Sequence, residues 1–252
     1  MRQGFTPVIS SREIAPGCYL MWLEAPELAA ESRPGQFVMV HCGEDTMLRR
    51  PLSIHQRDSG NIALLFQVVG KGTAWLSQLG AGDNIDLLGP LGNGFSIPPD
   101  ASKLLLVAGG IGIAPLYFLA QEASREGYSI RLIMGAQNAV ELYLNQLPPI
   151  RGTIILVTED GVRGEKGLAT DITPSHIDWA DQIFACGPPG MYRTMAQMPE
   201  LQDKPIQVSL EVMMGCGVGV CYGCTVITGR GPRQVCQDGP VFDIKDILCD
   251  SL

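Results

Sequence analysis

The spacing of the cysteines between Gly215 and Cys236 constrains this chain more than any other feature of its sequence. The cysteines follow the pattern C-x4-C-x2-C-x11-C, and glycines lie between them. The spacings among the first three cysteines are those of plant-type [2Fe–2S] sites, in which four thiolates hold two irons. Glycine lets the backbone wrap closely around such a cluster and leaves N–H groups free to hydrogen-bond its sulfurs. The pattern therefore predicts four cluster ligands: Cys216, Cys221, Cys224 and Cys236.

Two other interpretations of these cysteines stay open at this point. Structural zinc sites use two short cysteine knuckles, whereas only Cys221 and Cys224 form one here. Disulfides require an oxidising compartment, and no apolar export segment precedes Ser10. We therefore expect a cytoplasmic protein with reduced thiols. The cysteines without such neighbours are expected to be buried or incidental thiols: Cys18, Cys42 and Cys249.

Composition excludes several classes of protein. A chain of 252 residues with 46% hydrophobic and 17% charged residues is long and apolar enough to fold around a core. Its net charge of -8 argues against nucleic acid as a partner, because that binding depends on Lys and Arg at phosphates. The uncharged run Leu104–Ala120 is interrupted by glycines and Pro115 and is short for a membrane span. We interpret it as a strand, a turn and a helix.

Residues 1–98 carry short apolar or alternating stretches separated by turns, which predicts a small antiparallel barrel or sandwich. One helix is predicted at Thr73–Leu79, because its apolar side chains share one face. The predicted strands are Thr6–Ser10, Cys18–Glu24, Gln36–His41, Leu52–His55, Ile62–Val69 and Asn84–Leu88.

Residues 99–205 change to strands that alternate with helices, which predicts a parallel α/β sheet covered on both faces. The periodicity then disappears, so residues 206–252 are expected to form a small third domain organised by its metal centre. The predicted strands are Leu104–Ala108, Ile130–Gly135, Ile154–Thr158, Gln182–Cys186 and Ile206–Leu210, and the predicted helices are Pro115–Arg125, Ala139–Gln146 and Pro189–Met198.

Two features of the first half suit a phosphate group. The segment Arg50–Ser53 places a cation and a hydroxyl on a proline-set backbone, which could grip a diphosphate. Gly72 and Thr73 begin the predicted helix, whose free N–H groups favour an anion. Solvated turn residues are the alternative for each feature taken alone.

In the second half, glycine-rich turns follow two predicted strands, where α/β sheets receive a dinucleotide. The acids Glu159 and Asp160 end another strand, where carboxylates could accept hydrogen bonds from ribose, and this favours NAD over NADP. Tight turns and solvated acids are the alternatives. The candidate nicotinamide-site residues are Gly109, Gly110, Gly112, Pro115, Glu159, Asp160, Cys186, Gly187, Pro188 and Met191.

Four motifs carry a resemblance to a known family. They are Arg-Pro-Leu-Ser at 50–53, Gly-Pro-Leu-Gly-Asn-Gly-Phe at 89–95, Gly-Gly-Ile-Gly-Ile-Ala-Pro at 109–115 and Cys-Gly-Pro-Pro-Gly-Met at 186–191. With these motifs, residues 1–205 resemble the ferredoxin reductase superfamily. When the cysteine segment is added, the whole chain resembles the electron-transfer subunits of dihydroorotate dehydrogenase B.

The resemblance implies an FAD domain in the barrel, an NAD domain in the α/β part and a [2Fe–2S] domain at the end. Leu52 stands where the broader superfamily commonly has Tyr, and Gln67 stands where related subunits often have Arg. The residues assigned to FAD by resemblance are Arg50, Pro51, Leu52 and Ser53, with Leu65, Phe66 and Gln67 beside the ring or ribityl chain, and Gly72 and Thr73 at the pyrophosphate.

The resemblance also implies a partner, an FMN-containing catalytic subunit that oxidises dihydroorotate to orotate in pyrimidine biosynthesis. A heterotetramer with two copies of each chain is expected. Electrons would run from FMN through the cluster and FAD to NAD, an exchangeable substrate, so no side chain of this chain is expected to be catalytic. The alternatives are an NADH-dependent reductase that serves a hydrogenase, oxygenase or ferredoxin, and a zinc-bearing nucleotide sensor without electron transfer.

Overall fold

The computed structural model describes residues 1–143, 147 and 149–248, and the first part of the chain is a closed antiparallel barrel. This confirms the predicted barrel. Its strands are β1 (Arg2–Ala15), β2 (Cys18–Glu24), β3 (Phe37–Val40), β4 (Arg50–Asp58), β5 (Asn61–Gln67) and β6 (Asn84–Leu91). Around the barrel they follow the order β1-β2-β5-β4-β3-β6.

The barrel differs from the prediction in the bounds of its elements. β1 and β4 are longer than Thr6–Ser10 and Leu52–His55, because backbone pairing with the neighbouring strands continues beyond the predicted stretches. The predicted helix is found as α2, at Lys71–Leu76 rather than Thr73–Leu79. A helix that was not predicted, α1, spans Pro26–Glu31.

Side chains of β3 and β4 alternate between the two faces of the barrel wall. Val38 lies in the core inside the barrel, whereas Phe37 and Met39 belong to a second core outside it. Pro51 and Ser53 pair with Met39 and Phe37 across the two strands. Residues that are directly opposite in an antiparallel pair point to the same side, so all four face outward, toward the rest of the molecule.

The second part is a parallel sheet covered on both faces, as predicted. Its strands are β7 (Lys103–Gly109), β8 (Ser129–Ala136), β9 (Thr153–Thr158), β10 (Glu165–Lys166), β11 (Gln182–Cys186) and β12 (Ile206–Ser209), in the order β10-β9-β8-β7-β11-β12. The helix α3 (Ile113–Arg125) covers one face, and the other is covered by α4 (Ala169–Ile172), α5 (Pro174–Ile177) and α6 (Pro189–Gln197).

The helix predicted over Ala139–Gln146 is wrong in its described part. Ala139–Glu141 form only a 3₁₀ turn, in which Asn138 Oδ1 accepts hydrogen bonds from the backbone N–H of Val140 and Glu141. A side chain that satisfies the first N–H groups stabilises a turn as readily as a helix. Residues 144–146, 148 and Cys249 lie outside the described residues.

The helix α3 also joins the sheet to the barrel through β4. The Nδ1–H of His55 donates to Ala114 O at 2.9 Å, and the His55 ring stacks on Tyr117 with centroids 5.0 Å apart. Arg57 donates to the Glu122 carboxylate at 2.6 Å. Complete burial lowers the pKa of His55 to about 4, so the ring between barrel and sheet is neutral.

The C-terminal part shares its core with the barrel and the sheet. Cys224, Val235 and Cys236 lie in the same buried cluster as Met39 of the barrel and Val208 of the sheet. This part is therefore organised by packing as well as by any metal it holds. Its elements are β13 (Thr225–Thr228), β14 (Gly231–Gln234), α7 (Val235–Asp238) and β15 (Val241–Asp243), and β15 runs antiparallel beside β12.

Every helix within the described residues falls short of the length and apolarity needed to cross a lipid bilayer.

Candidate functional site

The four motif cysteines lie together as two pairs of thiols. The sulfur atoms of Cys224 and Cys236 are 3.3 Å apart, and both residues are buried. Cys216 is half-buried and Cys221 is exposed, and the backbone N–H of Cys221 donates to Cys216 Sγ. The Gly219 N–H donates to Cys236 Sγ at 3.2 Å, so the loop that begins at Cys216 also touches the second pair.

Backbone N–H groups of the cysteine loop point at sulfur. Cys216 Sγ accepts hydrogen bonds from the N–H groups of Val218, Val220 and Cys221, each at 3.4 Å. Burial raises the pKa of Cys216, but these donors outweigh burial and lower the pKa to about 6. The loop therefore stabilises the thiolate, which is the form that binds metal.

These residues fit a cluster of two irons better than a single zinc ion. A structural zinc ion needs four ligands around one point. A [2Fe–2S] cluster instead takes two thiolates at each iron, which matches two thiol pairs. Burial and the Cys224 thiol raise the pKa of Cys236, so a bound cation is what would deprotonate it.

Apolar side chains exposed to solvent flank the outer cysteine. Val220 and Tyr222 precede and follow Cys221, and they are 75% and 70% exposed. Tyr222 has a φ of 58°, in the left-handed region that bulky residues rarely occupy. Strained backbone and exposed apolar groups are typical of functional surfaces. We call Val220–Tyr222 the rim of the cysteine loop.

In the barrel, Arg50 and the start of α2 lie against each other. A Cβ at Gly72 would lie 3.0 Å from Arg50 Nε, so glycine permits the contact. Thr73 Oγ1 accepts hydrogen bonds from the N–H groups of Val69 at 2.9 Å and Gly70 at 3.2 Å, which holds the turn before α2. The two phosphate-compatible features of the sequence therefore meet at one place on the barrel.

The other residues assigned to flavin by resemblance divide between the two faces of the barrel wall. Leu52 packs against the core inside the barrel, and Phe66 lies within it, stacked on Tyr19 at 5.8 Å. Both contribute to the barrel rather than to its outer surface. On the outer face, Pro51 and Ser53 are half-buried and Gln67 at the end of β5 is exposed, whereas Leu65 is buried in the core that contains α3.

The glycine-rich turns after β7 and β11 touch at the carboxyl edge of the sheet. A Cβ at Gly112 would lie 2.1 Å from Cys186 O, and a Cβ at Gly109 would lie 2.9 Å from Pro188 Cδ. These two glycines are therefore required by contact between the turns. Gly110 has a φ of 55°, and a Cβ there would enter open space.

The strand order of the sheet reverses between these two turns, since β8–β10 extend it on one side of β7 and β11–β12 on the other. Open α/β sheets bind ligands at such a reversal. Met191 covers Gly187, where a Cβ would lie 2.8 Å from Met191 Cε. The Tyr192 hydroxyl accepts from Gly187 N–H and donates to Ser209 O, which fixes the turn. Burial raises the pKa of Cys186 to about 12, so its thiol stays protonated.

The other candidate residues lie further from this reversal. Glu159 and Asp160 follow β9, two strands from β7, which is about 10 Å away. Both are exposed, and Asp160 Oδ1 accepts from the N–H of Val162 within its own turn. Glu159 is therefore the better placed of the two to reach a ribose. Pro115 is buried in the first turn of α3.

Two residues to which sequence reasoning gave no role connect these places. Met39 is fully buried, and a Cβ at Gly217 of the cysteine loop would lie 2.5 Å from Met39 Cγ. Met39 also pairs with Pro51. Asn93 donates hydrogen bonds to carbonyls of α7. No sequence pattern distinguishes Met39 from other apolar residues of an alternating strand, whereas Asn93 belongs to the motif Gly89–Phe95 that carries the family resemblance.

Comparison with known proteins supports these observations. Residues 211–248 match the family model described as the iron-sulfur cluster binding domain of dihydroorotate dehydrogenase B. The dihydroorotate dehydrogenase B (NAD(+)), electron transfer subunit of Desulforamulus reducens is 42% identical over 246 residues, which cover 93% of this chain and 94% of the relative. The protein of the same name from Bacillus caldolyticus is 37% identical over 96% of each chain.

Two solved structures are similar in fold. An NADH-dependent reduced ferredoxin-NADP oxidoreductase, studied for flavin-based electron bifurcation, superimposes with a TM-score of 0.90 and 31% identity over 99% of this chain and 91% of that chain. The ferredoxin reductase of carbazole 1,9a-dioxygenase superimposes with a TM-score of 0.71 over 82% of this chain and 68% of its own, and at 19% identity it shares the fold alone.

Proposed function

Because this chain belongs to the family of dihydroorotate dehydrogenase B electron transfer subunits, we propose that it carries electrons to NAD from a partner that oxidises dihydroorotate. The chain uses a [2Fe–2S] cluster and FAD as its resident cofactors and NAD as its exchangeable substrate. It is thus an NAD-linked oxidoreductase subunit.

Three sites on the chain serve this function, one each for FAD, the nicotinamide and the cluster. When bound, FAD exchanges hydride with a nicotinamide and single electrons with the cluster. Arg50 and the start of α2 hold the FAD diphosphate, and the outer face of β4 and β5 supports the ring. The turns that meet at Gly109 and Cys186 receive the nicotinamide. Burial keeps the Cys186 thiol beside these turns protonated, because it raises the pKa of that thiol to about 12.

One observation carries this proposal: the outer face of the barrel touches both other sites. Met39 contacts Gly217 of the cysteine loop and pairs with Pro51 of the flavin strand. On the same wall, Leu65 packs in one apolar cluster with Ile113 and Ala114 of α3, which follow the nicotinamide turn. A flavin ring held at this wall would lie between the cysteine loop and the nicotinamide turns, as electron transfer between those two sites requires.

The partner is an FMN-containing catalytic subunit in pyrimidine biosynthesis, and the assembly contains two copies of each chain in the cytoplasm. The rim Val220–Tyr222 supports the existence of a partner subunit, because it places Cys221 next to exposed apolar side chains. An apolar rim beside a one-electron centre suits a partner that must come close and exclude water.

The test is to purify this chain anaerobically together with an FMN-containing catalytic subunit and to measure dihydroorotate-dependent reduction of NAD. We expect activity from the complex and none from either chain alone. Val220→Ser probes the rim, and Val162→Ser is its matched control, since the two valines are 75% and 74% exposed. Only the rim variant is expected to weaken the complex. A complex that reduces no NAD with dihydroorotate contradicts the proposal.

A second function is favoured by the similarity to the NADH-dependent reduced ferredoxin-NADP oxidoreductase, which covers 99% of this chain. In that case the chain delivers electrons from NADH to a hydrogenase, an oxygenase or a ferredoxin. All the cofactor sites are shared, so only the acceptor distinguishes the two functions. Reduction of ferredoxin by NADH in a preparation that does not oxidise dihydroorotate would favour this second function.

A further inference from the structure

The loop after β6 reaches from the flavin barrel to the helix that carries the fourth cysteine. Asn93 Nδ2 donates to Gln237 O at 3.2 Å and to Asp238 O at 3.1 Å. The backbone N–H of Asn93 donates to Gly239 O at 2.6 Å. Carbonyls at the end of a helix lack partners within the helix, so these three bonds supply donors where α7 ends.

The close approach of this loop depends on glycine. Gly92 has a φ of 73°, and a Cβ there would lie 2.6 Å from Pro240 Cδ and 2.7 Å from Gly239 O. Only glycine fits a left-handed position with backbone this near. The conformation at Gly92 therefore places Asn93 against α7 and gives the motif Gly89–Phe95 a role at the cysteine segment.

The position of α7 in turn determines the surroundings of the buried thiol. Cys236 lies within α7, and the N–H that reaches its sulfur comes from Gly219. Gly219 packs on α7, since a Cβ there would lie 2.5 Å from Gln237 Cγ, and Gln234 Nε2 donates to Gly219 O at 3.1 Å. A shift of α7 would move the thiol and its hydrogen-bond donor together.

We infer that Asn93 is a positioning residue for the cluster, through which the flavin barrel holds the Cys236 helix in place. This inference rests on the proposed function, because it takes the four cysteines to be ligands of a [2Fe–2S] cluster. Its consequence is that the barrel that holds FAD also determines how long the cluster survives and what surrounds its sulfur.

The experiment uses the anaerobically purified, cluster-loaded full chain with Asn93→Ala and Asn93→Asp. Alanine removes both donors, and aspartate keeps the shape but sets a carboxylate against two carbonyls. Gln207→Ala is the matched control: its side chain also spans two parts of the molecule, with Nε2 donating to Ser96 O at 2.6 Å and Oε1 accepting from Ser96 N–H at 3.0 Å. That pair links the same loop to β12 and not to α7.

Three quantities are measured: the rate at which an iron chelator bleaches the cluster, the electron paramagnetic resonance line shape of the reduced cluster, and the FAD content. We expect Asn93→Ala to bleach about fivefold faster, because net loss of these bonds is worth about 1 kcal/mol. Asn93→Asp should bleach faster still. Both should show an altered line shape with FAD retained, and Gln207→Ala should bleach within about twofold of the native rate.

Two results overturn the inference. One is native bleaching and an unaltered line shape in both Asn93 variants. The other is equal acceleration by Asn93→Ala and Gln207→Ala, which would assign the effect to the loop in general. Failure of the proposed function looks different, because the native chain itself would then lack iron and sulfide. If an Asn93 variant loses FAD as well, the substitution disturbs the barrel itself and the role assigned to Asn93 is rejected.

Discussion

Cys224 Sγ lies 3.3 Å from Cys236 Sγ, although eleven residues separate the two along the chain. The strands β13 and β14 run antiparallel between them and return the chain to its starting point, with Thr225 opposite Gln234. The Val235 N–H then donates to Cys224 O at 3.1 Å and closes the loop. A short hairpin thus brings these two thiols, the inner pair of the site, together.

The inner pair leads to the first prediction. Cys236→Ser should leave the chain folded with FAD bound but without a stable cluster, because a serine hydroxyl does not replace a thiolate toward iron. Iron, inorganic sulfide and flavin content of the purified protein measure this. Cys18→Ala is the control, since Cys18 is a buried thiol of the barrel. Full iron content in Cys236→Ser would contradict the ligand assignment.

Adjacent arginines provide the second prediction. Arg50→Ala should weaken FAD binding about thirtyfold, since a charge-assisted hydrogen bond is worth about 2 kcal/mol. Arg49→Ala is its matched control, because Arg49 is ion-paired with Asp86 and also donates to Asp86 O at 3.0 Å. That variant should lower the unfolding free energy and leave FAD affinity nearly native. FAD affinity is measured by titrating the apoprotein with FAD, and stability is measured by urea unfolding. Equal loss of FAD affinity in the Arg50→Ala and Arg49→Ala variants would refute the role of Arg50.

The third prediction concerns the contact between the nicotinamide turns. In Gly112→Ala the new Cβ would lie 2.1 Å from Cys186 O, so backbone must move at a cost of about 3 kcal/mol. Gly190→Ala is the control, because Gly190 lies in α6 with open space at its Cβ position. Urea unfolding should show a large loss in the first variant and none in the second. Native NADH affinity in a stable Gly112→Ala protein would show that the turn contact is unimportant.

The fourth prediction is a pH dependence of stability that originates at His55. Its pKa falls from 6.5 to about 4 on folding, so the unfolded chain takes up the proton first as the pH drops. The contribution of neutral His55 to the free energy of unfolding is therefore fully present above pH 6.5. It is lost between pH 6.5 and about 4, by about 3 kcal/mol in all. The neighbouring Tyr117 stays neutral, since burial raises its pKa to about 12.

Urea unfolding of native protein and His55→Gln at several pH values between 7.5 and 4.5 measures this dependence. Other groups titrate equally in both proteins, so the difference between the two curves isolates His55. We expect the variant to lose less stability than the native chain on acidification. Parallel curves would show that the buried ring does not control acid stability.

Several features were accessible from the sequence because they depend on local spacing. The cysteine pattern, the alternation of the barrel strands and the strand–turn–helix at Leu104–Arg125 each involve residues that are near one another in the chain. Their geometry follows from the two periods of backbone structure and from the few conformations of tight turns. The expected helix at Ala139–Gln146 failed where a competing side chain, Asn138, capped a shorter turn.

The amino-acid sequence alone determined the class of cofactor ligands, the barrel and the parallel sheet, since these depend on residue type and local period. The tertiary structure alone decided that Cys224 pairs with Cys236, that Gly112 is required by Cys186, and that Asn93 holds α7. Each of these depends on which distant surfaces meet when the core forms. Such contacts join residues far apart in the chain, and burial of apolar area selects them without leaving a local pattern.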